Sequence, residues 1–499
     1  MKPSEFYNEG LPDRKPYETR AEEIAKISLP ALVRKDGSTG STALEDSASQ
    51  SFNGRLFNNL KAKMGMALLP PSTSSFRFKP NATGVLELYG EGENRDEEGI
   101  AKMNSDLSMK TDLVNTELEV QQIRTDAFDM ILQLIGVGSV VVEKVEKKGL
   151  QIYPLKSFVV KLNSKGEPLA ICVRETLKNL PEDITVEKEK DEYELFTLLD
   201  YDKEADKWIM TQNVDDGEIV GNEQTFKNYD ELPFRYFGWT WMVGEKYHRP
   251  FAEDYYPDMN QVDKLAKLNT DGAIIAAKSL LLINQRNNRT RKKDVADSEN
   301  GDVIDGSAED ITAFQFNKGF DFKISNEREA IIKKELMAAF LDSGAITRDA
   351  ERVTAEEIRE MAQQLEASTL AGIYSKMSLQ FSKWIIERLM VEIGIKFEAT
   401  EVSVLTGLDA LGRSQEAQKQ DAFVQRLTAT GKERWLKDGE LISRWAAYDN
   451  INTVGLIKTP KEVQKEVADE QEALAKQQLV ESGAKALGEK AGGGQPPAQ

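Results

Sequence analysis

From Thr354 to about Ile393 the chain places Ile358, Met361, Leu365, Ile373, Met377, Phe381, Trp384 and Leu389 at helical spacing. That apolar stripe must be covered by some other surface, as such stripes are in protein cores. Thr354 with Glu357 has the residue types of a capping box. A straight helix of this length would run ~60 Å at 1.5 Å per residue, and Gly372 is where a kink is expected.

Upstream, the same period recurs in two pieces. Asp258 to Ile283 carries Met259, Val262, Leu265, Leu268, Ile275 and Leu282, a helix of ~39 Å, and a polar excursion follows from Asn284 to Asn317. Helix resumes at Asn326, an N-cap type with Glu329 at N3, and continues to about Leu341. Ser343-Gly344-Ala345 then opens a polar loop that ends at the Thr354 cap. These helices offer more apolar stripe than one subunit can cover, which predicts a closed ring of identical subunits.

The first half mixes helix and strand. Thr19-Arg20-Ala21-Glu22 has capping-box spacing before Ile24, Ile27 and Leu29, a polar Gly37 to Thr42 linker follows, and Ser47 to Leu69 reads as helix ending at Pro70-Pro71. Short strands are expected from Phe76 to Tyr89 and helix from Leu113 to Ile135. Val140-Val141-Val142, Gln151 to Val160, Leu169 to Glu175 and Glu194 to Asp200 read as strands, leading to the aromatic run Phe234 to Trp241. Beyond Thr400, helices are expected at Ser414 to Thr428, Lys432 to Asp449 and after Thr459-Pro460, with a Gly- and Pro-rich disordered tail from Gly488. The fold class is mixed α+β, helix-rich.

Sixty-five Lys and Arg against 84 Asp and Glu give a net charge of −19, so a chain that coats nucleic acid over its whole surface is excluded and any such contact is local. One cysteine, Cys172, and one histidine, His248, leave no thiolate or imidazole set for structural zinc and little basis for nucleophile–histidine catalysis. No metal or other cofactor is expected, and His248 is assigned a structural role. Neither a signal peptide nor a membrane span is legible, since Gly272 to Ile283 is short and interrupted by Lys278. Gly407 to Ser414 has the GxxxxG spacing of a phosphate-binding loop, but Arg413 stands where a compact lysine is needed. Asp200 to Asp206 alternates acids as a calcium loop does, with Ala205 where the turn needs Gly; a solvated turn fits better.

Three blocks together resemble the portal, or head-to-tail connector, family of short-tailed double-stranded DNA bacteriophages: Ser49 to Phe52 through Asn58-Asn59-Leu60 to Ala67-Leu68-Leu69-Pro70-Pro71; Tyr247-His248-Arg249-Pro250 to Asn269; and Arg352-Val353-Thr354-Ala355-Glu356-Glu357-Ile358 with Gly372 to Ser375 and Thr406 to Arg413. The resemblance covers about Ser47 to Asp449. It implies a non-enzymatic subunit of a twelve-membered ring at the capsid vertex of the virion, assembled in host cytoplasm, with an α+β wing (1–249 and a long helix, 354–399), a stem of two helices (250–283 and 325–342), a clip (284–324), a tunnel loop (343–353) and a helical crown (400–480). Implied partners are double-stranded DNA in the channel, the terminase large subunit, a tail adaptor, and major capsid and scaffolding proteins.

Two candidate sites follow. Thr347, Arg348, Asp349 and Arg352 lie in the implied tunnel loop, where interleaved charges suit transient phosphate contact; the competing reading pairs Arg352 with Glu356 at the helix start. Arg286, Arg289, Arg291, Lys292 and Lys293 form a basic cluster followed by Asp294, Asp297, Glu299, Asp302, Asp305, Glu309 and Asp310. They are either a solvated loop or clip arms that meet a neighbouring subunit or partner. The alternatives to a portal are an ATP-driven DNA-packaging enzyme built on Gly407 to Ser414 and a helical capsid scaffold.

Overall fold

The structure, a computed structural model, describes residues 1–33, 48–71, 74–80, 97–178, 191–277, 280–283, 311–314, 319–342, 355–395, 402–406 and 413–432, with single residues between and shortly beyond them. The chain divides into two compact units, 1–73 with 117–392, and 74–116 with 393–499.

In the first unit, helix α1 (Pro3–Ile27) lies on a five-stranded antiparallel sheet of β4 (Phe158–Leu162), β5 (Pro168–Leu177), β6 (Tyr193–Asp202), β7 (Lys207–Val214) and β8 (Ile219–Phe226). The other face of that sheet meets a three-stranded sheet, β3-β2-β9, of β2 (Ser139–Val145), β3 (Gly149–Tyr153) and β9 (Phe234–Gly238). Successive residues of a strand point to opposite faces. Ile171 and Val173 therefore join Val141, Phe158, Leu199, Trp208 and Tyr236 between the sheets, while Ala170 and Cys172 join Tyr7, Phe196 and Leu198 beneath α1. Because both faces are covered, β5 and β6 read as apolar runs more than as alternations. Cys172 is fully buried, its thiol 3.3 Å from the Pro3 carbonyl.

Two elements of α1 depart from expectation. The helix begins sixteen residues before Thr19, whose hydroxyl donates to the Lys15 carbonyl in mid-helix and caps nothing. Pro12 and Pro16, which would ordinarily break a helix, are both exposed, so the backbone groups they leave unpaired face water. Opposite them, Arg14 is buried and donates to Glu18, to the Tyr7 hydroxyl at 2.9 Å and to the Phe158 carbonyl at 2.8 Å, tying α1 to β4.

Helix α2 (Phe52–Leu68) is buried nearly all round, with Leu56, Phe57, Leu60 and Met64 inaccessible. Asn53 donates to the Ile27 and Met259 carbonyls, so α2 holds the end of α1 and the helix that bears Met259. The helix read over 113–135 is two helices, α3 (Glu97–Val120) and α4 (Ile123–Gly136), broken at Gln122, which has a left-handed φ of 56°.

Helix α5 (Phe251–Ala277) ends before the position expected: Leu280–Ile283 is a strand, β10, paired antiparallel with β11 (Ile311–Phe314). A short apolar run carries no period of its own to separate strand from helix. Helix α6 (Gly319–Ala339) starts ahead of Asn326, which sits in its interior. The long stripe is divided into four segments: α7 (Ala355–Ala367), α8 (Ala371–Met377), a π turn over Ser378–Ser382, and α9 (Lys383–Ile393). Its first break comes from Ser368, whose hydroxyl donates to Leu365 O at 2.7 Å and accepts from Leu370 N–H, and not from Gly372, which has open space around it. Phe381 and Trp384 pack edge-on against Phe237 of β9, and the Trp384 indole donates to Leu232 O.

The second unit contains a two-stranded antiparallel ladder of β1 (Phe76–Pro80) and β12 (Val402–Thr406), with Phe76 and Phe78 in edge contact at 5.5 Å, and helix α10 (Arg413–Ala429). Of the helix expected over Lys432 to Asp449 only Lys432, Trp435, Leu436, Leu441, Ile442 and Trp445 are described, and the residues expected to form the final helix and the tail lie outside the described residues.

Candidate functional site

Helices α5 and α6 pack along Met259 and Val262 on one side and Ile332 and Leu336 on the other, all essentially inaccessible. At the base of the pair the Phe340 ring lies 5.0 Å from Phe251, 5.6 Å from Tyr255 and 5.8 Å from Phe57 of α2. Farther along, Asn269 Nδ2 donates to Asn326 Oδ1 and Glu329 Oε2, both at 2.9 Å, which gives Asn326 a pairing role in place of the capping role expected of it. Four apolar side chains of the pair are half or more exposed: Leu268 at 63% and Ile331 at 51% beside this polar rung, and Ile274 at 53% and Ile324 at 52% beyond it.

The end of α6 is closed by a Schellman arrangement. Asp342 N–H donates to Met337 O at 2.7 Å and Leu341 N–H to Ala338 O at 3.2 Å, with Leu341 itself left-handed at φ 55°. Leucine in place of the usual glycine costs on the order of 1 kcal/mol there. Three polar residues of α2, spaced four apart, meet this end: Arg55 faces the Asp342 carboxylate at 3.4 Å, Asn59 reaches Phe340 O at 3.5 Å, and Lys63 Nζ donates to Leu341 O at 2.5 Å. Lys63 is buried, which lowers its pKa, with the Asp342 charge opposing that shift. Sequence reasoning gave these residues no role. The available sign was the i, i+4 spacing of Arg55, Asn59 and Lys63 in a helix that also carries Leu56, Phe57, Leu60 and Met64.

Thr347, Arg348, Asp349 and Arg352 lie outside the described residues, as do Arg286, Arg289, Arg291 and Lys292; Lys293 alone of the basic cluster is described, and it is exposed. Of the phosphate-loop alternative, Gly407 to Gly412 is likewise outside. The strand before it, β12, pairs antiparallel with β1, whereas a phosphate-binding loop follows a strand of a βαβ unit. The acid-rich turn at 202–206 is a hairpin connection in which Asp202 accepts from the backbone N–H of Glu204 and Ala205.

His248 is buried in a hydrogen-bonded chain with the Tyr236 hydroxyl at 2.9 Å, which in turn pairs with Ser139. Burial, reinforced by the charge of Lys376, pushes its pKa down to about 3, so it is neutral and structural at physiological pH. Glu143 is the acid whose environment departs most from water: burial raises its pKa to about 7, and Tyr153 donates to it at 2.7 Å while lying 3.4 Å from Glu175. A cleft of 520 Å³ is lined by Trp239, Trp241, Phe251, Tyr255, Ile373 and Lys376, whose ammonium donates to Gly238 O. Among the described residues, no group of three or more His, Cys, Asp or Glu side chains is arranged to hold a metal, and no helix is long and apolar enough to cross a membrane.

A mixed α+β body bearing a helix pair with an uncovered apolar flank defines a subunit shaped for assembly. The chain belongs to the bacteriophage head to tail connecting protein family, whose model matches residues 7–434. It is 29% identical over 500 residues to the portal protein of Escherichia phage T7, covering 95% of this chain and 91% of that one. The portal protein of Enterobacteria phage T3 is 29% identical over 476 residues (91% and 87%), and that of Enterobacteria phage SP6 28% identical over 496 (95% and 93%). Among solved structures, the neck of an empty gene transfer agent particle aligns over 79% of this chain and 90% of its own, at 13% identity and a TM-score of 0.37. The resemblance drawn from the three sequence blocks is thus borne out, and the role is that of a structural portal.

Proposed function

We propose that twelve copies of this chain close a ring at one capsid vertex, through which double-stranded DNA enters during packaging and leaves during ejection. On this reading 1–249 and 354–399 form the wing, 250–283 and 325–342 the stem, 284–324 the clip, 343–353 the tunnel loop and 400–480 the crown. The clip, with its basic and acidic arms, docks the terminase large subunit and later the tail adaptor, while major capsid and scaffolding proteins surround the ring. The work of packaging is supplied by the separate motor, and the portal itself catalyses nothing.

The observation that carries the proposal is the flank of Leu268, Ile274, Ile324 and Ile331, apolar surface that a single subunit leaves in water. Head-to-tail repetition of one interface, when its rotation closes, yields a ring and buries such a flank on every copy. The net charge of −19 fits a channel that must let DNA slide, since each phosphate neutralised by a cation adds salt-dependent grip. Negative-stain microscopy with light scattering of the purified protein tests this: rings with an axial hole are expected, and a monomer throughout the micromolar range refutes the proposal. Replacing Arg348 and Arg352 together by Gln is expected to leave rings intact and to lower DNA retention in assembled particles. Normal retention would remove the tunnel-loop assignment.

A further inference from the structure

The end of α6 is the last described point before residues 343–353, and its geometry is unusual in two independent ways. Leu341 holds a left-handed backbone that leucine rarely adopts, and the carbonyl it presents is taken by the buried ammonium of Lys63, not by water. A helix leaves its last carbonyls unpaired, and its C-terminus carries partial negative charge, so a cation placed there both pairs a carbonyl and complements the dipole. Residues held in sparsely populated conformations persist where the surroundings over-determine them. The surroundings here belong to α2, which is itself fixed: Gly65 abuts Phe128 of α4, Asn53 holds Ile27 and Met259, and the Tyr374 hydroxyl of α8 donates to Ala67 O.

We propose that Lys63 is a positioning residue of the channel: its ammonium on the Leu341 carbonyl, with Arg55 on Asp342, fixes the direction in which the chain leaves α6 and so where the residues after it enter the bore. The role rests on the reading of 343–353 as the channel segment. Lys63 touches no DNA in this proposal; it acts through Leu341. Arg55 is largely exposed and its ion pair is correspondingly weak, so the ammonium of Lys63 is the principal clasp.

The test is hydrogen exchange on assembled full-length rings, with DNA retention in particles as the second readout. In Lys63→Met the amides of Leu341 and Asp342 are expected to exchange about tenfold faster, the loss of one charge-assisted hydrogen bond. Amides near Ile332 and Leu336 should change little, DNA retention should fall, and Lys63→Arg should preserve both. Should Lys63→Met fail to assemble, the pair is made in a Leu341→Gly background, where glycine accepts the left-handed backbone unaided; slow exchange at 341–342 is then expected to return. Uniformly faster exchange along α6, or none at 341–342, overturns the clasp. Altered exchange with normal retention overturns the positioning role when Arg348→Gln with Arg352→Gln does lower retention. If that double variant is also normal, it is the channel reading of 343–353 that has failed.

Discussion

Strands β5 and β6 and the outer parts of α5 and α6 draw on the same residues, leucine and isoleucine, to opposite ends. Ile171 and Leu199 face the inter-sheet core and Leu198 faces α1, so each is covered within one chain. Leu268, Ile274, Ile324 and Ile331 are each left more than half exposed. Burying such a side chain is worth about 1.5–3 kcal/mol. In the sheets that free energy is realised when one subunit folds; on the helix pair, under the proposed ring, it is realised when subunits meet. What distinguishes a folding residue from an assembly residue here is the surface opposite it, not its type.

The largest effect on a single subunit is expected at α9. Trp384→Ala removes a fully buried indole from Phe237 and should cost about 3–5 kcal/mol, seen as a large drop in the melting temperature of dissociated subunits. Unchanged melting would mean that α9 is not part of the core that contains Phe237. Next is Glu143→Gln. With its folded pKa raised to about 7 from 4.5, Glu143 binds its proton more tightly in the folded chain, so its contribution to stability is complete below about pH 4.5 and is lost as pH rises through 7. The variant should therefore be more stable than the parent at about pH 8, by up to about 3 kcal/mol, and equal to it near pH 4. A gap of the same size at both values argues against titration as the cause. Ser368→Ala, which deletes the cap between α7 and α8, should cost about 1 kcal/mol by chemical denaturation. Smallest of all for the subunit is the double change Leu268→Asp with Ile331→Asp: melting should shift by no more than about 0.5 kcal/mol, yet rings should disappear from light scattering. Rings that survive it would place the interface elsewhere.

The strands of the first unit were legible because their β-branched and aromatic runs lie between clear turns, and 139–145, 168–177 and 193–202 were found within a few residues of the expected places. Helix α1 was half missed because the capping-box spacing at Thr19 pointed to a start there, whereas burial of Tyr7, Tyr17 and Ala21 on the sheet carries the helix back to Pro3. Leu280–Ile283 was misassigned because its partner strand lies some thirty residues on, beyond any periodicity. Asn326 looked like a cap for good local reasons and pairs with Asn269 for a tertiary one. The clasp at Leu341 could not be read at all, since it depends on α2 meeting α6 across 278 residues of sequence.

Cys172 supplies a built-in clock. Its thiol lies beneath the first turn of α1, against Pro3 O, and burial pushes its pKa up, so a thiol reagent finds neither access nor thiolate while the helix is seated. Labelling in native solution then counts the moments when α1 lifts from the sheet, one event per subunit, with no second cysteine to confuse the record. Compared between free subunits and the proposed rings, that rate measures how far assembly quiets α1.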